Sequence, residues 1–441
     1  MKTLLLVYSA YITSRLEYIF NHLLGELAGI EIRITGNLNE YQAYEGPSLN
    51  YSQQQIKANE INILPNGLLF ANTITPLNVS IKKTGGKIFL YLDGENIEAN
   101  LFDPFAASFY LLSRYEEYLP FQPDIFNRFE AGSSILYKHG LLEIPLVDKW
   151  AMEIKDSLLS VYPELSAKEK KVSTIITIDI DQAFAFKRRG IKRNVLSFLK
   201  NFFGLHTKML ISQIKFFLRL SDDPFDTYDY LNQQQTQAGL PFIYFINIGD
   251  YSQYDKNLPA SNWQLKKLLK TLEQKADIGL HPSYYSNEQP GKFHEEKSRL
   301  ETIISKPITK SRQHYLKLNF SLTYRHLIET GITEDYTMGY ASAPGFRAGT
   351  CTPFFWFDLE KNGPTQLRLF PITYMEGSLG EDLKLTPSEA QDKIESLTET
   401  VKHYKGCFVC IWHNHTVDDK FFWKGWKQVF EKNLQKLKAG N

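Results

Sequence analysis

Val172-Ser-Thr-Ile-Ile-Thr-Ile-Asp-Ile-Asp181 is a β-branched run that ends in two aspartates. Isoleucine, valine and threonine suit a pleated, half-buried backbone, so the run predicts a strand over 172–180. Side chains alternate faces along a strand, which puts Asp179 and Asp181 on one side, about 7 Å apart. Both stand at the strand's carboxyl end. Two carboxylates there are costly unless they are paired or bound to a cation. One can ligate a cation while the other takes a proton from water. The plain alternative is a strand that ends in exposed acids.

Other runs end in the same manner. Ile278-Gly-Leu-His281 is closed by Pro282, and Val409-Cys-Ile-Trp-His-Asn-His415 sets His413 and His415 on one face. An imidazole at a strand end suits general-acid work. In Ser311-Arg-Gln-His-Tyr315, Arg312 and His314 share a face. In Gly345-Phe-Arg-Ala-Gly-Thr350, glycines bracket Arg347, a loop suited to an anion or substrate contact. Each of these histidines alone reads equally well as a hydrogen-bonded loop residue; their recurrence at strand ends is what carries weight. Around them, strands are expected at 241–247, 276–281, 312–316 and 407–412. Helices are expected at 261–275 (capped by Ser261), 295–305, 323–330 and 421–437. That alternation implies a parallel α/β sheet or barrel with its chemistry at the strand carboxyl ends.

A chain of 441 residues argues for two domains. The charged stretch 168–171, after Pro163, divides an α/β or α+β unit over 1–166 from a larger unit over 167–441. In the first unit, strands are expected at 4–7, 29–34, 61–64, 67–70 and 87–92, the last closed by Asp93-Gly94. Helices are expected at 14–27 and 103–118. Arg114, Glu116 and Glu117 read as a salt-bridged helix end, and nothing in this unit has catalytic spacing. The first ten residues resemble the apolar core of a signal peptide, but an amphipathic helix follows at once with no small-residue cleavage site. A cytoplasmic protein is therefore expected, and no apolar stretch has the length of a membrane span. The 50 basic and 49 acidic side chains give no bias toward nucleic acid. Cys407-Phe-Val-Cys410 has CxxC spacing inside a buried strand, and no second pair completes a zinc site, so core thiols are expected.

The order of these motifs resembles the polysaccharide deacetylases of the NodB-homology type, the carbohydrate esterase family 4. More narrowly, it is similar to Bacteroidetes proteins that join such a barrel to an N-terminal domain of unknown function. The resemblance implies a distorted (β/α) barrel and a metal-dependent hydrolase. Such an enzyme removes N-acetyl or related acyl groups from a carbohydrate, in surface-polysaccharide or lipid-linked sugar metabolism. It implies Asp179 as base, Asp181 and His281 as ligands of a divalent cation, expected to be zinc, and His413 as acid. The family's second metal-binding histidine, four residues after the first, is here Tyr285. His314 is the expected substitute, with Ser283 and Tyr285 behind it. Arg312, Arg347, Tyr285 and His415 are expected to contact substrate, and Asp335 to tune His413. Two other readings stay open: a sugar-binding protein that has lost catalysis, and a metal-dependent glycosyltransferase using Asp179 and Asp181.

Residues 182–221 contain no Asp or Glu, while Lys187, Arg193, Lys200, Lys208, Lys215, Arg219 and three further basic residues alternate with leucine and phenylalanine. Basic helices with large apolar residues lie on anionic membranes. Peripheral contact at the inner membrane face through 187–219 is one expectation, and a hairpin packed on the protein with solvated charges is the other.

Overall fold

The β-branched run forms the strand Ser173–Ile180. The computed structural model of the chain describes residues 4–92, 102–187, 190–204 and 207–438 and sets this strand inside a nine-stranded sheet. Across the sheet the order is Phe354–Asp358, Gly363–Leu369, Glu334–Asp335, Lys310–Ser311, Asp277–Leu280, Phe242–Ile246, Ser173–Ile180, Cys407–His413 and Tyr374–Met375. The first two strands pair antiparallel and all other neighbours pair parallel. Parallel pairs need crossovers. Helices Tyr228–Ala238, Trp263–Glu273, Pro290–Ile304, Phe320–Glu329 and Pro387–His403 lie in the connections. Among the described residues the two outermost strands do not pair with each other. Strand pairing among the described residues thus does not close the barrel expected from the sequence.

Period-two alternation sorts the side chains of the central strands. Ile176, Ile178, Ile180, Phe408, Cys410 and Trp412 join the main core, under the helices. Ile175, Cys407 and Val409 point the other way, into a smaller cluster with Ile243, Phe245, Tyr336 and Phe370. Asp179, Asp181 and His413 share the parity of that second set. They stand above it, at the end where the parallel strands finish. All three cysteines are buried and free, as expected of core thiols.

The N-terminal part has its own parallel sheet, ordered Ile32–Thr35, Leu5–Tyr8, Ser48–Asn50 and Ile61–Asn62, and a hairpin of Ser80–Thr84 with Lys87–Tyr91. The Asp93-Gly94 turn expected after it lies outside the described residues. Several boundaries differ from expectation for local reasons. Residues 68–70 form a 3-10 turn rather than a strand, entered through Gly67 at φ 103°. The helix expected over 103–118 runs only Pro104–Leu112. It breaks at Arg114, which adopts φ 53° as its guanidinium meets Glu116, Glu117 and Tyr340. Asn262, not Ser261, caps Trp263–Glu273 by accepting from the Gln264 and Leu265 N–H groups. The last helix starts at Trp426, after Gly425 at φ 89° interrupts the 421–437 pattern. No helix among the described residues is long and apolar enough to cross a membrane.

Arg347 belongs to this architecture. It was expected at the substrate; instead its guanidinium pairs with both carboxylate oxygens of Glu117 and donates to the Gly339 carbonyl. Arg114 binds the same carboxylate and the Arg347 carbonyl, so the pair stitches residues 114–117 to the loop after the Glu334–Asp335 strand. All three guanidinium nitrogens are thus engaged within the protein, and the side chain is only 2% exposed.

Candidate functional site

Four strand ends converge. His413 is in register with Asp179 on the neighbouring strand, Asp181 follows Ile180, His281 follows Leu280, and Arg312 follows Ser311. Together with His314 and His415 they surround a cavity of about 250 Å³, except that Arg312 lies behind its wall.

The Arg312 side chain is fully buried. Its Nη1 donates to Asp179 Oδ1 at 2.9 Å and to Thr177 Oγ1 at 2.6 Å, and its Nε donates to the Tyr336 carbonyl. The guanidinium also lies 4.6 Å from the centre of the Phe245 ring. Gly279 makes room for that ring: a Cβ there would stand 2.4 Å from it. Arg312 was expected to touch substrate; the geometry gives it the task of aiming Asp179.

The His281 Nδ1 lies 2.6 Å from the Arg312 carbonyl oxygen. A carbonyl only accepts, so the proton of the neutral ring sits on Nδ1 and Nε2 presents a lone pair. That lone pair faces Asp181 Oδ1 at 3.0 Å. Asp181 Oδ1 is buried and has no hydrogen-bond donor. The His314 ring is fixed in the same manner, with Nδ1 2.8 Å from Asp255 Oδ1 and Nε2 3.6 Å from Asp181 Oδ1. The three ligand atoms of Asp181, His281 and His314 lie within 4.8 Å of one another. Acceptors facing one another in a buried place call for positive charge, and two imidazoles with one carboxylate are a donor set that suits zinc. The residues present therefore fit a divalent cation.

Electrostatics agree. Burial alone would lower the His314 pKa, but Asp181 and Asp255 on either side of the ring push it up to about 9. Burial alone would raise Asp181, but His314, His281 and His413 hold it well below the usual carboxylate range. A proton or a cation answers the same demand.

His314 owes its position to an irregular backbone. The expected strand over 312–316 stops at Ser311, and Tyr315 and Leu316 take φ of 61° and 51°. Left-handed conformations in such residues cost on the order of 1–3 kcal/mol each and persist only where surroundings enforce them. Tyr315 and Leu316 both line the cavity.

His413 Nδ1 lies 2.8 Å from Glu376 Oε1, and the same oxygen accepts from the His413 backbone N–H and the Thr416 hydroxyl. Burial would lower the His413 pKa; Glu376, then Asp181, raise it to about 10. Asp335, expected in this role, is elsewhere, bound to the Thr337 N–H and hydroxyl. His415 lines the cavity beside His413, and burial with that neighbour lowers its pKa to about 4. Tyr285 packs on Tyr254 and Tyr284 instead of lining the cavity. Ser283 is turned onto Glu296.

Residues 5–163 match a family model described as a family of unknown function, DUF7033. No curated protein matches the chain. Similar solved structures include one described as a polysaccharide deacetylase from Mycobacterium smegmatis, at 13% identity and TM-score 0.42, over 62% of this chain and 87% of that one. Another is a polysaccharide deacetylase from Bacillus cereus, at 13% identity and TM-score 0.30, over 61% and 88%. A third is a mutant of a pseudoenzyme of carbohydrate esterase family 4 with restored activity, at 9% identity and TM-score 0.30, over 61% and 63%.

Sequence reasoning missed Glu376, Asp255 and Arg128. Glu376 follows a two-residue strand, too short for any period to show. Asp255 sits in a loop, where its Oδ2 accepts from the Ser252 hydroxyl and its Oδ1 from the Asn247 amide. Arg128 comes from the N-terminal part, which showed no catalytic spacing. It lines the cavity, is paired with Asp124, and donates to the Tyr315 carbonyl at 2.6 Å. Phe126 stacks on the Tyr315 ring at 4.9 Å. For none of the three does local sequence carry a signal.

Proposed function

We propose that the chain is a metal-dependent hydrolase that removes an N-acetyl or related acyl group from a carbohydrate. The observation that carries this reading is the Asp181, His281 and His314 cluster, with Asp179 on one side and His413 on the other, around one small cavity. In this reading Asp181, His281 and His314 hold a divalent cation, assigned as zinc, which supplies Lewis acidity at the cavity. Asp179, kept aimed by Arg312, takes the proton of the attacking water. His413, oriented by Glu376, offers the Nε2 proton to the departing amine nitrogen. Leu316, Ala341 and Met375 form an apolar wall suited to the acyl methyl. The amide C–N bond breaks, water supplies the hydroxyl of the released acid, and the sugar leaves as an amine.

The order of the strand-end motifs supports the same reading, and so does His314 standing where a second imidazole ligand is needed. The residues belong to a unit over 167–441, with a unit over 1–166 of separate role except where Arg128 reaches the cavity. The test is metal content with turnover on acetylated chito-oligosaccharides. Wild type should hold one zinc per chain, Asp181→Ala should lose it, and Asp179→Asn should keep it while turnover falls by about 10²–10⁴. A protein that takes up no metal on zinc addition would sink the reading and leave sugar binding without catalysis. Manganese-dependent capture of a nucleotide sugar would move the assignment to glycosyl transfer.

A further inference from the structure

Helices Ile191–Phe203 and Thr207–Phe217 come soon after Asp181 in the sequence and pack on each other with inverted polarity. In the second helix the buried residues are Ser212 and Gln213, and Gln213 donates to the Asn194 carbonyl of the first. Phe216 packs on Phe186, but most of the other large apolar residues face outward. Leu196, Leu199 and Phe203 recur at helical spacing on one helix and Ile211 and Ile214 on the other, with Leu218 just past its end, all exposed, Phe203 by 77%. A helix pair that folds with amides inside and phenylalanine outside has not buried its apolar stripe against its own chain. Contiguous exposed apolar surface of this kind marks an interaction site.

Charge identifies the partner. Residues 182–221 carry nine Lys and Arg and no Asp or Glu, while the whole chain has a net charge of only +1. The exposed Lys208, Lys215 and Arg219 lie on the same segment as the apolar stripes. A second copy of this chain, meeting hairpin to hairpin about a two-fold axis, would set this positive segment against itself. An anionic lipid surface satisfies both features: the stripe enters the acyl boundary by roughly 5–10 Å and the basic groups meet phosphate headgroups. We propose that the 191–217 hairpin docks the protein on an anionic membrane surface.

The hairpin is anchored at the cavity end of the sheet. Arg193 donates to the Asn257 carbonyl and lies over the Tyr251 ring, both in the loop after the Phe242–Ile246 strand. Asp223, just beyond the hairpin, accepts from the Ala185, Phe186 and Lys187 N–H groups. The docked face is thus tied to loops that leave the carboxyl ends of two central strands. The inference stands apart from the hydrolase reading, since it concerns residues outside the cavity wall.

The experiment is sedimentation of the full chain with vesicles. Wild type should pellet with equimolar phosphatidylglycerol and phosphatidylcholine at low salt, much less at high salt, and not with phosphatidylcholine alone. Phe203→Glu with Leu218→Glu should weaken binding by at least about tenfold with an unchanged thermal midpoint and metal content. Lys208→Ser with Lys215→Ser should lower binding and flatten its salt dependence. Failure of wild type to pellet with the anionic vesicles at low salt would overturn the proposal. So would undiminished binding by the double glutamate variant. A wild-type dimer in light scattering that this variant disperses would assign the surface to a second copy instead.

Discussion

The seam of Arg114, Glu117 and Arg347 and the site around Asp179 and Arg312 both bury guanidinium groups against carboxylates, with these side chains 4% exposed or less. In the seam every side-chain nitrogen and carboxylate oxygen of these three residues has a partner. At the site three buried atoms have none: Asp181 Oδ1, Arg312 Nη2 and Glu376 Oε2. Other buried atoms lack partners too, among them Tyr324 OH and Trp356 Nε1, but at the site the unpaired atoms belong to three charged groups gathered at a cavity, where a ligand can meet them. Burial of charge is common to structure and chemistry; incomplete pairing beside a cavity separates them.

The comparison breaks most readily at Glu117. Its removal leaves Arg114 and Arg347 buried as uncompensated like charges, so Glu117→Ala should cost about 3–5 kcal/mol in urea unfolding. The folded fraction should keep its full metal content. A loss below about 1 kcal/mol, the worth of a surface pair, would show that the seam does not hold the two parts together. Glu376→Gln probes the other side. It removes the charge that orients His413 while keeping its shape, so turnover should fall by about 10–100-fold with the unfolding midpoint little changed. A variant that unfolds early but turns over normally would move Glu376 into the structural class.

A third effect, read as a slope with pH, comes from Asp335. Burial raises its pKa to about 7, and contacts with Thr337 and Arg312 only partly oppose this. In the unfolded chain the group loses its proton near pH 4. Between these values the folded state binds more protons, so this residue makes stability fall as pH rises from about 4 to 7 and then level off. Asp335→Asn should flatten that slope in urea midpoints measured at pH 5 and pH 8. An unchanged slope would show that the buried carboxyl does not titrate in this window.

The strands at the centre of the sheet were legible, whereas its antiparallel edge, Phe354–Asp358 and Gly363–Leu369, was not expected. Ser173–Ile180 and Cys407–His413 give period two enough residues to show which face is which, and so which side Asp179 and His413 occupy. Lys310–Ser311 and Glu334–Asp335 are too short for that, and the strand expected at 312–316 dissolves into a left-handed turn. The helix expected through Arg114 failed for a related reason. Hydrophobic spacing records side-chain direction but not a single positive φ. Arg347 was misread because its partner, Glu117, is 230 residues away in sequence, and a glycine-bracketed arginine looks the same whether it faces solvent or a buried carboxylate.

Arg312 joins two parts of the site through one residue. Its guanidinium holds Asp179 and its carbonyl oxygen holds His281. The aspartate and the imidazole are thereby geared together: a drift of this backbone carries both in the same direction and preserves their spacing. Side-chain replacement at 312 can release only the aspartate, because the other linkage is made by the main chain and survives any substitution that leaves the strand in register.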